Sequence, residues 1–328
     1  MAGIVKIELP NGTLNGTSHP VLPAEEIRKH ETEKSLGTSS SSWVVQKFGG
    51  TALGKAALGI TDVVKNGLVN DRLAIVCSAR SSSVKSDGTT TRLLRAAKVA
   101  AAHVDGIDEA TRLCQEIQAD HEAAAKSSIQ DEGLREVFVA DLRSEIESLT
   151  RTLQAVNQLE EVSIRVEDRV LSLGERLSCI FMTALLTDRG VPAQLVDLSS
   201  VINDHSVPDL DLDGSYGALA KALGKEVLKT EGKLPVVTGH FGFVPRGLLH
   251  TIGRGYTDLA AALVAIGINA RELQIWKEVD GIFSADPRKV PTARLLPSVS
   301  PSEAAELTFY GSEVIHPFTM HQVMVASM

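Results

Sequence analysis

The 328-residue sequence is poor in aromatic side chains, which make up 4% of it: two Trp, three Tyr and eight Phe. So few rings leave no stacking surface for single-stranded nucleic acid, and the core must be built from Ala, Val, Leu and Ile, as in layered α/β proteins. Cysteine is scarce too. Cys77, Cys114 and Cys179 are odd in number, far apart and outside any C-x-x-C or zinc-ligand spacing, so they read as buried thiols in a reducing compartment, and no metal-ligating residue is expected. No apolar run approaches the roughly 18 residues of a spanning helix, and MAGIVKIELP lacks the basic flank and apolar stretch of a secretory signal. The expectation is a cytoplasmic protein with no membrane partner. Bases are outnumbered by acids, 33 to 41, for a net charge of −8, which excludes a broad polyanion surface and with it a nucleic-acid partner.

The acidity is regional. Residues 105–169 hold sixteen acids against seven bases, whereas residues 43–104 hold nine bases and three acids, and residues 232–296 eight bases and five acids. The two basic stretches carry the glycine loops described below, so the charge distribution favours a focused pocket for a phosphate-bearing ligand and a small acid.

Residues 1–42 mix Pro, Gly, Asn, Thr and charge and end in four serines, the composition of a mobile tail with one short helix near residues 24–34. Order is expected from Trp43. Trp43–Phe48, Leu73–Cys77, Ala193–Asp197, Leu234–Thr238 and Leu273–Trp276 read as strands; Gly54–Leu68, Tyr216–Lys229, Thr257–Ile268 and Ser302–Leu307 read as helices. Thr90–Arg189 is helical almost throughout. Strands alternating with helices predict an α/β fold, a three-layer αβα sandwich on a mainly parallel sheet. The predicted organisation is an N-terminal lobe over 43–235 with the acidic helical block, and a C-terminal lobe over 236–328. That second lobe reads as cut short, because Val325–Met328 carries no terminator signal.

Several constellations carry chemistry. Lys47-Phe48-Gly49-Gly50-Thr51 closes a strand ahead of a helix, where glycine backbone N–H groups and the helix start make an anion cradle and lysine adds a point charge for phosphoryl oxygens. A plain glycine turn with a snorkelling lysine remains open. Gly253-Arg254-Gly255-Tyr256-Thr257-Asp258 makes a second cradle, with Arg254 placed to grip a carboxylate and Asp258 either complementing the helix dipole or fixing a lysine. Ser78-Ala79-Arg80 ends a strand and Gly88-Thr89-Thr90-Thr91 starts a helix, and carboxyl ends of parallel strands are where open α/β sheets bind ligands. Glu175, in Leu173-Gly174-Glu175-Arg176, is a carboxylate among apolar neighbours, suited to a substrate ammonium or to an internal salt bridge. Lys277, Asp280, Gly281, Phe283 and Arg288 lie on turn signals around a short strand, with basic groups that suit phosphates. His316-Pro317 reads as a histidine before a helix-starting proline.

Taken in order, Lys47–Thr51, Cys77–Arg80, Leu173–Arg176, Gly253–Asp258, Lys277–Phe283 and Tyr310–Pro317 resemble the motifs of aspartate kinases, with a flavour close to the fungal enzymes. The resemblance runs from about Trp43 to the end. It implies the amino-acid-kinase fold and transfer of the ATP γ-phosphoryl group to the β-carboxylate of L-aspartate, giving 4-phospho-L-aspartate on the route to homoserine, threonine and methionine. It implies that Lys47 neutralises the transferring group and Asp258 positions it. Gly49, Gly50, Gly253 and Gly255 would lie at the phosphates. Glu175 would take the substrate ammonium and Arg254 its carboxylate, with Thr51, Ser78, Thr90 and Thr257 nearby. Lys277, Asp280, Gly281, Phe283 and Arg288 would hold the nucleotide, and Mg2+ would bridge its phosphates. Relatives continue into ACT-type regulatory domains, the expectation being that residues 1–328 hold the catalytic domain only, and the full-length form is expected to be a homo-oligomer. The alternatives are another kinase of the fold, acting on glutamate, acetylglutamate or a nucleotide monophosphate, or a truncated non-catalytic form.

Overall fold

An almost continuous apolar run makes a strand buried on both faces. In the computed structural model of the protein that run is β3, Arg72–Cys77, with its last five residues buried. The structure describes residues 3–8, 42–81, 88–102, 105–202, 215–244, 246–253, 255–277, 284, 290–294, 296 and 303. The expected helices near 24–34 and 302–307 lie outside that set, Glu303 apart, as does His316.

Beside β3 stand β1 (Gly3–Glu8), β2 (Trp43–Phe48), β4 (Ala193–Val196), β5 (Leu234–Thr238) and β6 (Glu272–Lys277), in the order β1-β6-β2-β3-β5-β4. Every pairing is parallel except β1 with β6, which run antiparallel with Gly3 opposite Lys277 and Glu8 opposite Glu272. β1 departs from the expected tail over residues 1–42. Its β-branched Ile4, Val5 and Ile7 suit a strand, and the open edge of β6 supplies the rest: a ladder of backbone partners, burial for Ile7 and a 3.8 Å ion pair from Lys6 to Glu272.

Side-chain alternation along the strands builds two cores. Val44 and Phe48 of β2, with Leu73, Ile75 and Cys77 of β3, face one helical layer; Val45, Ala74 and Val76 face the other. The first layer holds α1 (Gly50–Lys55), α2 (Ala57–Leu68), α3 (Thr89–Ala102), α4 (Gly106–Ser128), α5 (Glu132–Leu159) and α6 (Ile164–Asp188). The second holds α7 (Ser215–Leu228), α8 (Leu248–Thr251) and α9 (Tyr256–Gly267). This is the αβα sandwich expected. The helix expected over 54–68 starts earlier, at Gly50, and breaks at Ala56, whose φ of −133° leaves the helical region.

Side-chain caps start the longest helices. Asp131 accepts from the Leu134 N–H at 2.8 Å to open α5, and Ser163 accepts from the Val166 N–H at 3.3 Å to open α6. By length and composition α6 is apolar enough to cross a membrane, although the adjacent charges Glu175 and Arg176 interrupt its apolar run. It is a core helix here: 72% of its apolar window is buried against the rest of the protein, and it carries Asp168 and Glu175 inward.

The expected lobe boundary between residues 235 and 236 falls inside β5. Parallel pairing explains this, since β3 needs β5 on one side while β2 needs β6 on the other, so both halves of the sequence share one sheet.

Candidate active site

Lys47 is the fifth residue of a central strand, paired through Val76 to β3 and through Ile275 to β6. Alternation sends its side chain to the α9 face, where its Nζ meets Asp258 Oδ1 at 2.6 Å; the two side chains are 7% and 5% exposed. Taking two charges out of water costs several kcal/mol per ion, and hydrophobic residues of similar volume would fold as well, so such a pair is a poor device for stability alone. Asp258 sits in the first turn of α9, where the helix dipole favours an anion.

Glu175 reaches the same place from α6. Its Oε1 accepts from the Thr257 hydroxyl at 2.5 Å, while Oε2 is buried without a hydrogen-bond partner. Burial pushes its carboxyl up to about 7, against the downward pull of the Thr257 hydroxyl, the His240 main chain, the Lys47 charge and the Tyr256 hydroxyl. The salt bridge considered for this residue is not formed with Arg176, which turns to the opposite side and spans Glu145 at 2.7 Å and Asp197 at 2.5 Å. Arg176 there lines a separate cleft of 180 Å³ between α5 and α6. Glu175 is therefore an acid held in a dry pocket with one oxygen in want of a donor, beside a buried lysine.

The glycine cradle differs in detail from the expectation. The Gly49 N–H is committed to the Trp276 carbonyl at 3.2 Å, so it is not a free anion donor. Gly50 is required by close approach: a Cβ there would stand 2.2 Å from the Ala79 carbonyl oxygen. That approach draws α1 against residues 78–81, where the Ser78 N–H donates to the Phe48 carbonyl at 3.1 Å and the Ser81 N–H to the Gly50 carbonyl at 2.9 Å. The remaining first-turn N–H groups of α1, among them that of half-buried Thr51, have no acceptor within the helix. Ser78 and Thr90 are half-buried, at the end of β3 and the start of α3. Gly253 and Gly255 flank the entry to α9, with the Tyr256 N–H donating to the Gly253 carbonyl at 3.3 Å.

The structure thus brings Lys47, Asp258, Glu175 and Thr257 into one buried cluster, with Gly50 and Thr51 in the first turn of α1 and Ser78 just past the end of β3. Arg254, Asp280, Gly281, Phe283 and Arg288 lie outside the described residues, and so does the side chain of Lys277. Two neighbours were not anticipated. Tyr256 is buried with its hydroxyl against Glu175, and His240 stacks edge-on to it, ring centroids 6.2 Å apart. Burial drives the His240 imidazole down to about 4, opposed by Asp197. His240 follows β5 by two residues, so the rule that ligands gather at carboxyl ends of parallel strands could have found it.

Helix starts and a buried lysine–carboxylate pair at the carboxyl edge of a parallel sheet define an α/β anion-handling site. The chain belongs to the amino acid kinase family, whose model matches residues 42–327. It is 53% identical to the aspartokinase of Schizosaccharomyces pombe over 290 residues, 88% of this chain and 55% of that one. With the aspartokinase of Saccharomyces cerevisiae it shares 50% identity over 301 residues, 89% and 56% of the two chains. Among solved structures, Escherichia coli aspartokinase III in complex with aspartate and ADP is similar with a TM-score of 0.68 and 27% identity, covering 86% of this chain and 60% of that one. The chain spans little more than half the length of the fungal relatives it matches.

Proposed function

We propose that this chain is the catalytic portion of an aspartate kinase, moving the γ-phosphoryl group of ATP onto the β-carboxylate of L-aspartate. The observation that carries this reading is the buried cluster of Lys47, Asp258 and Glu175. An amino-acid substrate needs a carboxylate partner for its ammonium, and Glu175 offers a dry carboxylate with an unpartnered oxygen. A transferring phosphoryl group needs a fixed cation, and Asp258 fixes Lys47. Similarity to fungal aspartokinases at about half identity supports the same substrate pair.

The nucleophile is a substrate carboxylate, already ionised at neutral pH, so no protein base has to remove a proton before attack. A carboxylate oxygen forms the new bond to phosphorus as the bond to the ADP oxygen breaks. The protein's work is positioning and charge neutralisation. Lys47 would face the transferring oxygens, held by Asp258; Thr257 would orient Glu175 toward the substrate ammonium; Arg254 would take the α-carboxylate. Among the described residues no group of three or more His, Cys, Asp or Glu could hold a metal. Magnesium would be bound chiefly through nucleotide phosphates and water, where it would neutralise phosphate charge. Lys277 and Arg288 remain the candidates for nucleotide contacts. Three free, buried cysteines fit the cytoplasmic location this reading assigns.

The test is ADP release by the purified chain with a panel of amino acids. Turnover is expected only with L-aspartate, and Lys47→Ala is expected to lower it by about 10²-fold or more while the fold survives. Turnover with glutamate or acetylglutamate in place of aspartate, or an unaffected Lys47→Ala variant, would overturn the reading.

A further inference from the structure

Asp168 lies seven residues before Glu175 on α6, two turns away on the same helix face. It is 3% exposed, and no role above employs it. The Leu248 N–H donates to its carboxylate, 3.2 Å from Oδ1 and 3.4 Å from Oδ2. The first two turns of α6 grip the same stretch of chain at three further points. The Arg165 guanidinium lies 4.8 Å from the centre of the Phe243 ring, Glu167 Oε2 is 2.7 Å from His250 Nε2, and Ile164 underlies Gly247. Gly247 has φ +76°, a conformation that glycine adopts without strain, and a Cβ there would stand 2.9 Å from Ile164 Cγ2 and 3.2 Å from Asp168 Oδ1. This turn presents the Leu248 N–H to Asp168.

The gripped stretch is the one that leads through Ile252 and Gly253 into α9, the helix bearing Thr257 and Asp258. Tyr256 reaches across from the start of α9, its hydroxyl against Glu175 and within the field of Asp168. We propose that Asp168 is a positioning residue of the substrate site, pinning residues 247–253 to α6 and so fixing the spacing between Glu175 and the start of α9. A buried carboxylate is a costly way to satisfy one backbone N–H, and a hydrogen bond to a charged acceptor is stronger and more directional than a neutral one. Beside the Thr257–Glu175 hydrogen bond inside the pocket, the Asp168–Leu248 bond is a second tie between the two helical layers that wall it.

This inference rests on the aspartate-kinase reading, and its experiment has two arms so that the two can fail separately. In the full chain, Asp168→Ala is expected to speed amide hydrogen exchange at residues 248–252. It should also raise KM for L-aspartate about tenfold while KM for ATP stays within about twofold. Asp168→Asn, which keeps one acceptor oxygen, should fall between. Gly247→Ala, which alters no charge, should reproduce the aspartate effect and serves if Asp168→Ala does not fold. Unchanged exchange in the Asp168→Ala protein would overturn the clamp. Faster exchange with KM for aspartate unmoved, or with both KM values rising together, would reduce Asp168 to a structural residue and overturn the proposal. A wild-type chain with no aspartate-dependent turnover would overturn the functional reading instead, leaving the exchange arm to decide the clamp.

Discussion

Glu175 is ionised only at a cost, and that cost has a sign that can be worked out. Its folded value of about 7 lies above its ordinary 4.5, chiefly through burial. Between those values the folded protein takes up a proton that the unfolded chain does not, so the ligand-free protein gains stability from this group as pH falls from about 7 toward 4.5. Binding of an ammonium requires the opposite state. KM for L-aspartate should therefore climb as pH drops below about 7, close to tenfold per pH unit well into the acid limb. Glu175→Gln should flatten that limb, raise KM throughout, and stabilise the empty protein at pH 8 by on the order of 1–3 kcal/mol, read by thermal melting. An acid limb unchanged in the Gln variant would contradict this account. Lys47 and Asp258 were legible as candidates because each adjoins a glycine loop, although a snorkelling lysine and a dipole-complementing acid fitted the same sequence, and only their 2.6 Å contact joins them. Tyr256 and Asp168 were not. An aromatic at a helix start reads as core, an acid in a helix's first two turns reads as dipole complementation, and only the meeting of α6 with α9 gives either residue a partner.

Among the elements, α6 joins the most of the fold, and its far end holds a further, half-buried acid. Asp188 Oδ1 accepts N–H bonds from Gln130 at 3.0 Å and Asp131 at 2.7 Å, which ties the α4–α5 turn to the end of α6. Burial alone would raise this carboxyl. The Asp131 and Gln130 N–H donors, aided by Arg189 and Arg135, bring it below its ordinary 3.8. A depressed acid contributes stability that is present above its unfolded value and is lost as pH falls through its folded one, here below about 3.8. Asp188→Ala should lower stability by about 1–3 kcal/mol at pH 7, and the gap between variant and wild type should close below pH 3.8. Denaturant melts at the two pH values would check it. The helices themselves were readable from their 3.6-residue period, and Asp131 and Ser163 stand where caps are expected. The break at Ala56 was not readable, because alanine is the best helix former. The interruption comes from α1 being drawn down onto residues 78–81 while α2 packs on the sheet.

For the whole molecule, the mainly parallel sheet followed from alternating strand and helix signals, but its edge did not. Gly3–Glu8 carries three β-branched residues that suit a strand, but its pairing with β6 is a long-range fact that local composition does not reveal. Removing residues 1–8 should cost about 2 kcal/mol, from Ile7 returning to water, and leave β6 with an open edge. A lower melting temperature together with self-association in sedimentation is the expected result; a truncated chain as stable and as monodisperse as the intact one would count against it. The charge reading held at the level of segments. The acid-rich stretch became the outer helices α4 and α5, while Lys47 and its neighbours occupy the sheet edge where glycine loops meet.

The position of β6 between β1 and β2 has a consequence for birth of the protein on the ribosome. The strand that seals β2 is encoded last among those described, some 200 residues after β3 is complete. At roughly 5–20 residues per second, the lysine-bearing strand stays half-paired for about 10–40 s of synthesis, its free side a template for any passing strand. Late insertion of a central strand makes nascent-chain protection a requirement of this topology, and the sealing event is also the one that places Trp276 against Gly49 and so completes the glycine turn.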